Sequence, residues 1–111
     1  MRKLLIAILA AGLLGGMSSQ ASGATHSVRI GDDWFVREGR APTVEVAKGD
    51  QVRWRWTGRH EHNVQVRRGP ASFQSSLKTD GTYTRKLRKR GTYRIVCSIH
   101  RPAMRMTLVV D

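Results

Sequence analysis

The chain has a single cysteine, and it stands in Cys97-Ser98-Ile99-His100-Arg101-Pro102-Ala103-Met104, so that a thiol, an imidazole and a thioether fall within eight residues. A second imidazole, His62, lies 35 positions upstream of the cysteine, in Glu61-His62-Asn63-Val64. Two imidazoles, one thiolate and a weak, long axial thioether make up the trigonal set that suits copper cycling between its two oxidation states. Soft sulfur favours the reduced ion and borderline nitrogen tolerates the oxidised one. Ligands packed onto one short loop and one distant strand end have their geometry fixed before metal arrives, which keeps reorganisation small when an electron moves. The expected cofactor is one copper ion, held by His62, Cys97, His100 and Met104.

Each of these residues also has a plainer reading. A buried lone cysteine is often a small hydrophobe, Met104 could fill a core, and His100 could be an ordinary loop histidine. The conjunction argues for the site. Structural zinc would show paired Cys-x-x-Cys or His-x3–5-His spacings, which are absent. The four histidines, at 26, 60, 62 and 100, are too few for a large histidine cluster, and one cysteine excludes an internal disulfide. Met106 shares the side of Met104 on an alternating strand and is a rival axial ligand; Met104 is preferred because it is nearer the loop. His60 would point the same way as His62 on a strand and reads as a solvated loop histidine, with a second surface copper site as the alternative.

The elements that must position these residues are strands. From residue 26 the apolar positions alternate: Val28 and Ile30 around Arg29, Val44 and Val46 around Glu45, Val52, Trp54 and Trp56 around Arg53 and Arg55. Val64 and Val66 continue the pattern, as do Tyr93, Ile95 and Cys97, and Met104, Met106, Leu108 and Val110. Turn residues separate the runs at Lys48-Gly49-Asp50, Arg68-Gly69-Pro70, Asp80-Gly81 and Arg90-Gly91. Seven or eight short strands at this spacing predict an all-β, two-sheet antiparallel sandwich. Residues 70–81 read as a loop holding at most one short strand or helical turn.

Residues 1–24 stand apart. Arg2-Lys3 precedes an apolar run from Leu4 to Leu14, followed by small and polar residues, the order of a secretory signal. The run is too short for a membrane span, which takes about 20 apolar residues. Cleavage fits after Ala21 or after Ala24, with a preference for Ala24; the second would leave His26 next to the new amino terminus, where amine and imidazole could chelate oxidised copper. The expected product is one domain, residues 25–111, outside the cytoplasm (periplasmic or at the cell surface), with no stable membrane insertion.

Of the 20 basic residues, Arg2 and Lys3 fall in that segment, which has no acid; the other 87 residues therefore carry 18 basic against 8 acidic side chains, a net +10. The densest run is Arg85-Lys86-Leu87-Arg88-Lys89-Arg90. Export and the lack of a recognition motif argue against nucleic acid. The charge reads as a solubilising face or as steering toward an acidic protein or anionic surface.

Three blocks carry a family resemblance: Thr43-Val44-Glu45-Val46-Ala47-Lys48-Gly49-Asp50-Gln51-Val52-Arg53-Trp54, then His62-Asn63-Val64, then Gly91-Thr92-Tyr93-Arg94-Ile95-Val96-Cys97-Ser98-Ile99-His100. From about residue 28 onward the chain resembles a plastocyanin/azurin-type cupredoxin. The resemblance implies a Greek-key β-sandwich with one type 1 (blue) copper site that works as a soluble one-electron carrier. It places His62, Cys97 and His100 as strong ligands and Met104 as the weak axial one. It also implies that Asn63 ties the two ligand loops together through Ser98 and the Cys97 sulfur, and that the exposed edge of His100 is the electron port, lined by Pro102 and Ala103. Arg101 departs from the family, where many members present an apolar patch beside that histidine.

The function expected is therefore an exported, monomeric electron carrier serving a redox protein partner of acidic character. A copper storage or delivery protein with the same ligands is the alternative, but the exposed Met/His-rich segments such proteins prefer are missing. An enzyme is the least favoured reading, because multicopper enzymes need more than four histidines.

Overall fold

The computed structural model describes residues 23–35 and 42–111, so the expected signal segment lies outside the described residues except for Gly23 and Ala24. Among the described residues eight strands follow one another: β1 (Thr25–Gly31), β2 (Trp34–Phe35), β3 (Thr43–Val46), β4 (Gln51–Trp56), β5 (Gln65–Arg68), β6 (Thr82–Lys86), β7 (Gly91–Val96) and β8 (Arg105–Val110). They form two four-stranded sheets, ordered β2-β1-β4-β6 and β3-β8-β7-β5. Residues 70–81 form a loop whose Gln74 and Lys78 make isolated bridges to Gln65 and His62.

Alternation decides which faces meet. In β4, Val52, Trp54 and Trp56 point inward while Arg53 and Arg55 face solvent. In the opposite sheet Tyr93, Ile95, Met106, Leu108 and Val110 supply the facing layer. Trp54, completely buried, reaches across and donates its indole N–H to the Met106 sulfur at 3.4 Å. Apolar burial of this kind contributes about 25 cal/mol per Å² removed from water, and it sets the orientation of the strands that carry the chemistry.

The sheets are mixed rather than antiparallel throughout. β1 runs parallel to β4, with Ile30 opposite Trp56, and β3 runs parallel to β8, with Val46 opposite Val110. Alternation could not show this, because a strand with one covered face has period two in either direction. Crossing between sheets brings β3 beside β8 with a shared direction.

The pairings also define two ends. β1 and β4 both terminate, at Gly31 and Trp56, where β7 delivers Cys97. At the other end lie Thr25, Gln51 and the 47–50 turn. Among the described residues no helix is long and apolar enough to cross a membrane.

Candidate metal centre

Cys97 follows β7 directly and is fully buried. The loop it opens is closed by three backbone hydrogen bonds among the sulfur and imidazole residues themselves. The His100 amide donates to the Cys97 carbonyl at 3.2 Å, the Met104 amide to the His100 carbonyl at 3.1 Å, and the Cys97 amide to the Met104 carbonyl at 3.1 Å. These bonds run from main chain to main chain and close the loop on itself.

His62 comes from the segment between β4 and β5 and is fully buried. Its amide donates to the Lys78 carbonyl and its carbonyl accepts from the Lys78 amide, both at 3.0 Å. The same carbonyl accepts the Trp56 indole N–H at 3.0 Å. Two residues on, the Val64 amide donates to Ser75 Oγ at 2.9 Å. Asn63 then joins the segment of His62 to that of Cys97: its Oδ1 accepts the Ser98 amide at 2.7 Å.

These supports bring the donor atoms together. The Nδ1 atoms of His62 and His100 are 3.2 Å apart, and the Cys97 sulfur lies 3.9 Å from the first and 3.5 Å from the second. A triangle of this size admits one ion at about 2.0–2.3 Å from each nitrogen and sulfur, the bond lengths of a first-row metal. Two facing imidazole nitrogens beside a buried thiol are poorly satisfied by one another, and a soft, thiophilic ion satisfies all three. The residues fit copper.

Met104 is fully buried at the end of the loop, tied by its own backbone to both Cys97 and His100. The Met106 sulfur is occupied by the Trp54 indole in the core between the sheets. Arg101, Pro102 and Ala103 are exposed, and the His100 side chain is 31% exposed beside them. His60 stays outside the triangle with its side chain 68% exposed, and His26 sits at the opposite end on Asp50.

Asp32 was not anticipated. It and Asp33 form the two-residue turn joining β1 to β2, with Asp33 in the left-handed region at φ 71°. Asp32 Oδ1 lies 3.2 Å from His62 Nε2, and it also accepts the backbone amides of Arg59 and His60, both at 2.9 Å. Those contacts, the His60 amide first and the His62 ring second, hold its carboxyl well down, at about 2. Asp33 Oδ1 stands 3.6 Å from His100 Nε2. A pair of acids in a turn reads in sequence as solvated surface, and nothing in their spacing points 30 residues ahead to His62.

Known proteins agree with this geometry. Residues 38–111 match the family of copper-binding proteins described as plastocyanin/azurin. The chain belongs to that family. It is 32% identical over 109 residues to amicyanin-alpha of Methylorubrum extorquens strain AM1, covering 95% of this chain and 87% of that protein. Among solved structures, an oxidised amicyanin variant superimposes with a TM-score of 0.63 at 26% identity, covering 83% of this chain and 87% of the other. A second oxidised variant gives 0.61 at 28% identity over 85% and 88%, and a reduced one 0.62 at 26% over 86% and 97%. The protein is a cupredoxin: a type 1 copper protein that carries electrons to and from redox partners and is not an enzyme.

Proposed function

We propose that His62, Cys97 and His100 hold the copper ion as its three strong ligands, with Met104 as the weak axial fourth, and that electrons enter and leave at the His100 edge. The observation that carries this reading is the convergence of one sulfur and two Nδ1 atoms, from two chain segments, within 4.8 Å of one another. Bound copper supplies the one-electron couple. The chain's own residues do the rest. Asn63 and the backbone bonds of the loop keep the ligands in place in both oxidation states, so little has to rearrange on transfer. Full burial of His62, Cys97 and Met104 excludes water.

The engagement of Met106 with Trp54 supports Met104 as the axial sulfur. At the surface, Ile99 (52% exposed), Pro102 and Ala103 surround the His100 edge with small or apolar surface, which permits close approach of a partner. Arg101 adds a positive charge at the rim, and the excess of basic residues favours an acidic partner by steering it during encounter. Charged outer faces, with Arg53 and Arg55 on one sheet and Arg94 and Arg105 on the other, support a monomer. An export signal to the periplasm or cell surface lies within residues 1–24. Ala24 donates its amide to Asp50 and accepts the Gln51 amide, bonds that favour cleavage after Ala21 over the Ala24 site preferred from the sequence.

The visible spectrum of the copper-loaded protein tests the assignment. An intense blue band from cysteine-to-copper charge transfer, with narrow copper hyperfine splitting in paramagnetic resonance, is expected. A colourless protein with an ordinary tetragonal copper spectrum would refute the ligand set.

A further inference from the structure

The turn between β1 and β2 reaches the metal centre from the side opposite the thiol, and it carries a carboxylate with a single orientation. Asp32 Oδ1 is fixed by the Arg59 and His60 amides at 2.9 Å and faces His62 Nε2 at 3.2 Å. Gly58 makes room for it. A Cβ at that position would fall 2.3 Å from Asp32 Oδ1 and 2.8 Å from the Asp32 backbone nitrogen. The carboxylate therefore occupies a cradle made by the main chain of residues 58–60. On the far side of the same imidazole, Nδ1 faces His100 Nδ1 and the Cys97 sulfur.

We propose that Asp32 is a positioning residue for His62: it accepts the Nε2 proton, fixes the tautomer that turns the bare Nδ1 toward the metal, and holds the reduction potential down. This deepens the ligand assignment above and rests on it. A carboxylate can only accept, so the Nε2 atom must be the donor and Nδ1 is left with its lone pair. A hydrogen-bonded carboxylate makes the imidazole a stronger donor to metal. Its negative charge favours the more highly charged, oxidised ion, and in a chain of strongly positive net charge that local charge opposes the general trend. Asp33, 3.6 Å from His100 Nε2, adds to the same negative edge without a comparable cradle.

Four variants, one of them read in a measurement without metal, test this. Asp32→Asn keeps an acceptor but removes the charge; it should leave the blue colour and move the copper couple toward the reduced state by about tenfold, which for one electron is about 59 mV. Glu45→Gln, on the outer face of β3 at the other end, makes the same change in net charge and should move the couple far less. Gly58→Ala changes no charge yet displaces the carboxylate, and should shift the couple in the same direction as Asp32→Asn. In the metal-free protein with labelled imidazole nitrogen, magnetic resonance should find His62 as the Nε2–H tautomer, and Asp32→Ala should let that proton exchange rapidly. An Asp32→Asn potential indistinguishable from that of Glu45→Gln overturns the tuning role. An Nδ1–H tautomer in the metal-free parent overturns the positioning role. A parent that never turns blue refutes the ligand set instead, and the tautomer measurement still decides for Asp32.

Discussion

The two ends of the sandwich are built around the same pair of residue types. At one end Asp32 accepts two backbone amides and the Nε2 of His62. At the other, Asp50 accepts the Ala24 and Ala47 amides and the Nε2 of His26 at 2.8 Å. Local hydrogen bonding is nearly identical, yet only one end is a metal centre. The difference lies on the far side of the imidazole. His62 is fully buried with Nδ1 against a thiol and a second ring, whereas His26 is one-third exposed and clasps the start of β1 to the 47–50 turn. An aspartate–histidine pair is thus a fastening, and its chemistry depends on what the fastened ring is aimed at.

Removing the thiol should break that contrast most completely. Cys97→Ser is expected to abolish the blue absorption altogether while circular dichroism reports an unchanged sandwich, because the small side chain is buried but the Asp50–His26 clasp and the core remain. Loss of fold along with colour would mean that the copper end also holds the structure together.

The two methionines separate tuning from packing. Met104→Leu should keep the colour and raise the reduction potential by tens of millivolts, on the order of a tenfold shift in the couple. Met106→Leu should leave the potential alone and lower stability by about 1 kcal/mol, the scale for a volume-conserving core exchange that loses a contact with Trp54. The opposite pattern would make Met106 the axial ligand.

Acid titration addresses the distal clasp. The His26 ring, then the Ala47 amide, hold the Asp50 carboxyl below its ordinary 3.8. A carboxyl depressed by folding stabilises the native state above its unfolded pKa, and that contribution disappears as pH falls through the lower folded value. Asp50→Asn should therefore be less stable than the parent at neutral pH, with the gap closing below about pH 4 and the copper spectrum unaffected throughout. Denaturant unfolding across that range measures it; a gap that widens in acid would contradict the sign.

The smallest effect concerns encounter at the copper end. Arg101→Glu should slow electron exchange with an acidic partner severalfold at low salt, and the deficit should shrink as the Debye length falls to about 8 Å at physiological ionic strength. Equal responses from acidic and basic partners would place the port away from His100.

Much of this was legible beforehand, for definable reasons. Alternation of Val52, Trp54 and Trp56 with two arginines can only be a half-buried strand, and a lone cysteine three positions from a histidine and seven from a methionine encodes a ligand loop. Three things were not legible. The parallel pairings leave no trace in a period-two pattern. The sequence favoured Met104 over Met106 by nearness to the loop, but the bond from Trp54 in the other sheet to the Met106 sulfur left no trace in it. Asp32 needed the hairpin turn to fold over Gly58, a contact across 30 residues made by a side chain whose type suggests only solvent.

The ring of main-chain hydrogen bonds joining Cys97, His100 and Met104 has a consequence for how this protein can change over generations. Because those bonds use no side chain between the three residues, Ser98, Ile99, Arg101 and Ala103 are constrained in number far more than in kind. An inserted or deleted residue would unlock the circuit, while a replaced one alters only what a visitor meets at the rim. The loop can therefore drift toward a new clientele without retooling its redox chemistry, and lineages should differ there in spelling before they differ in length.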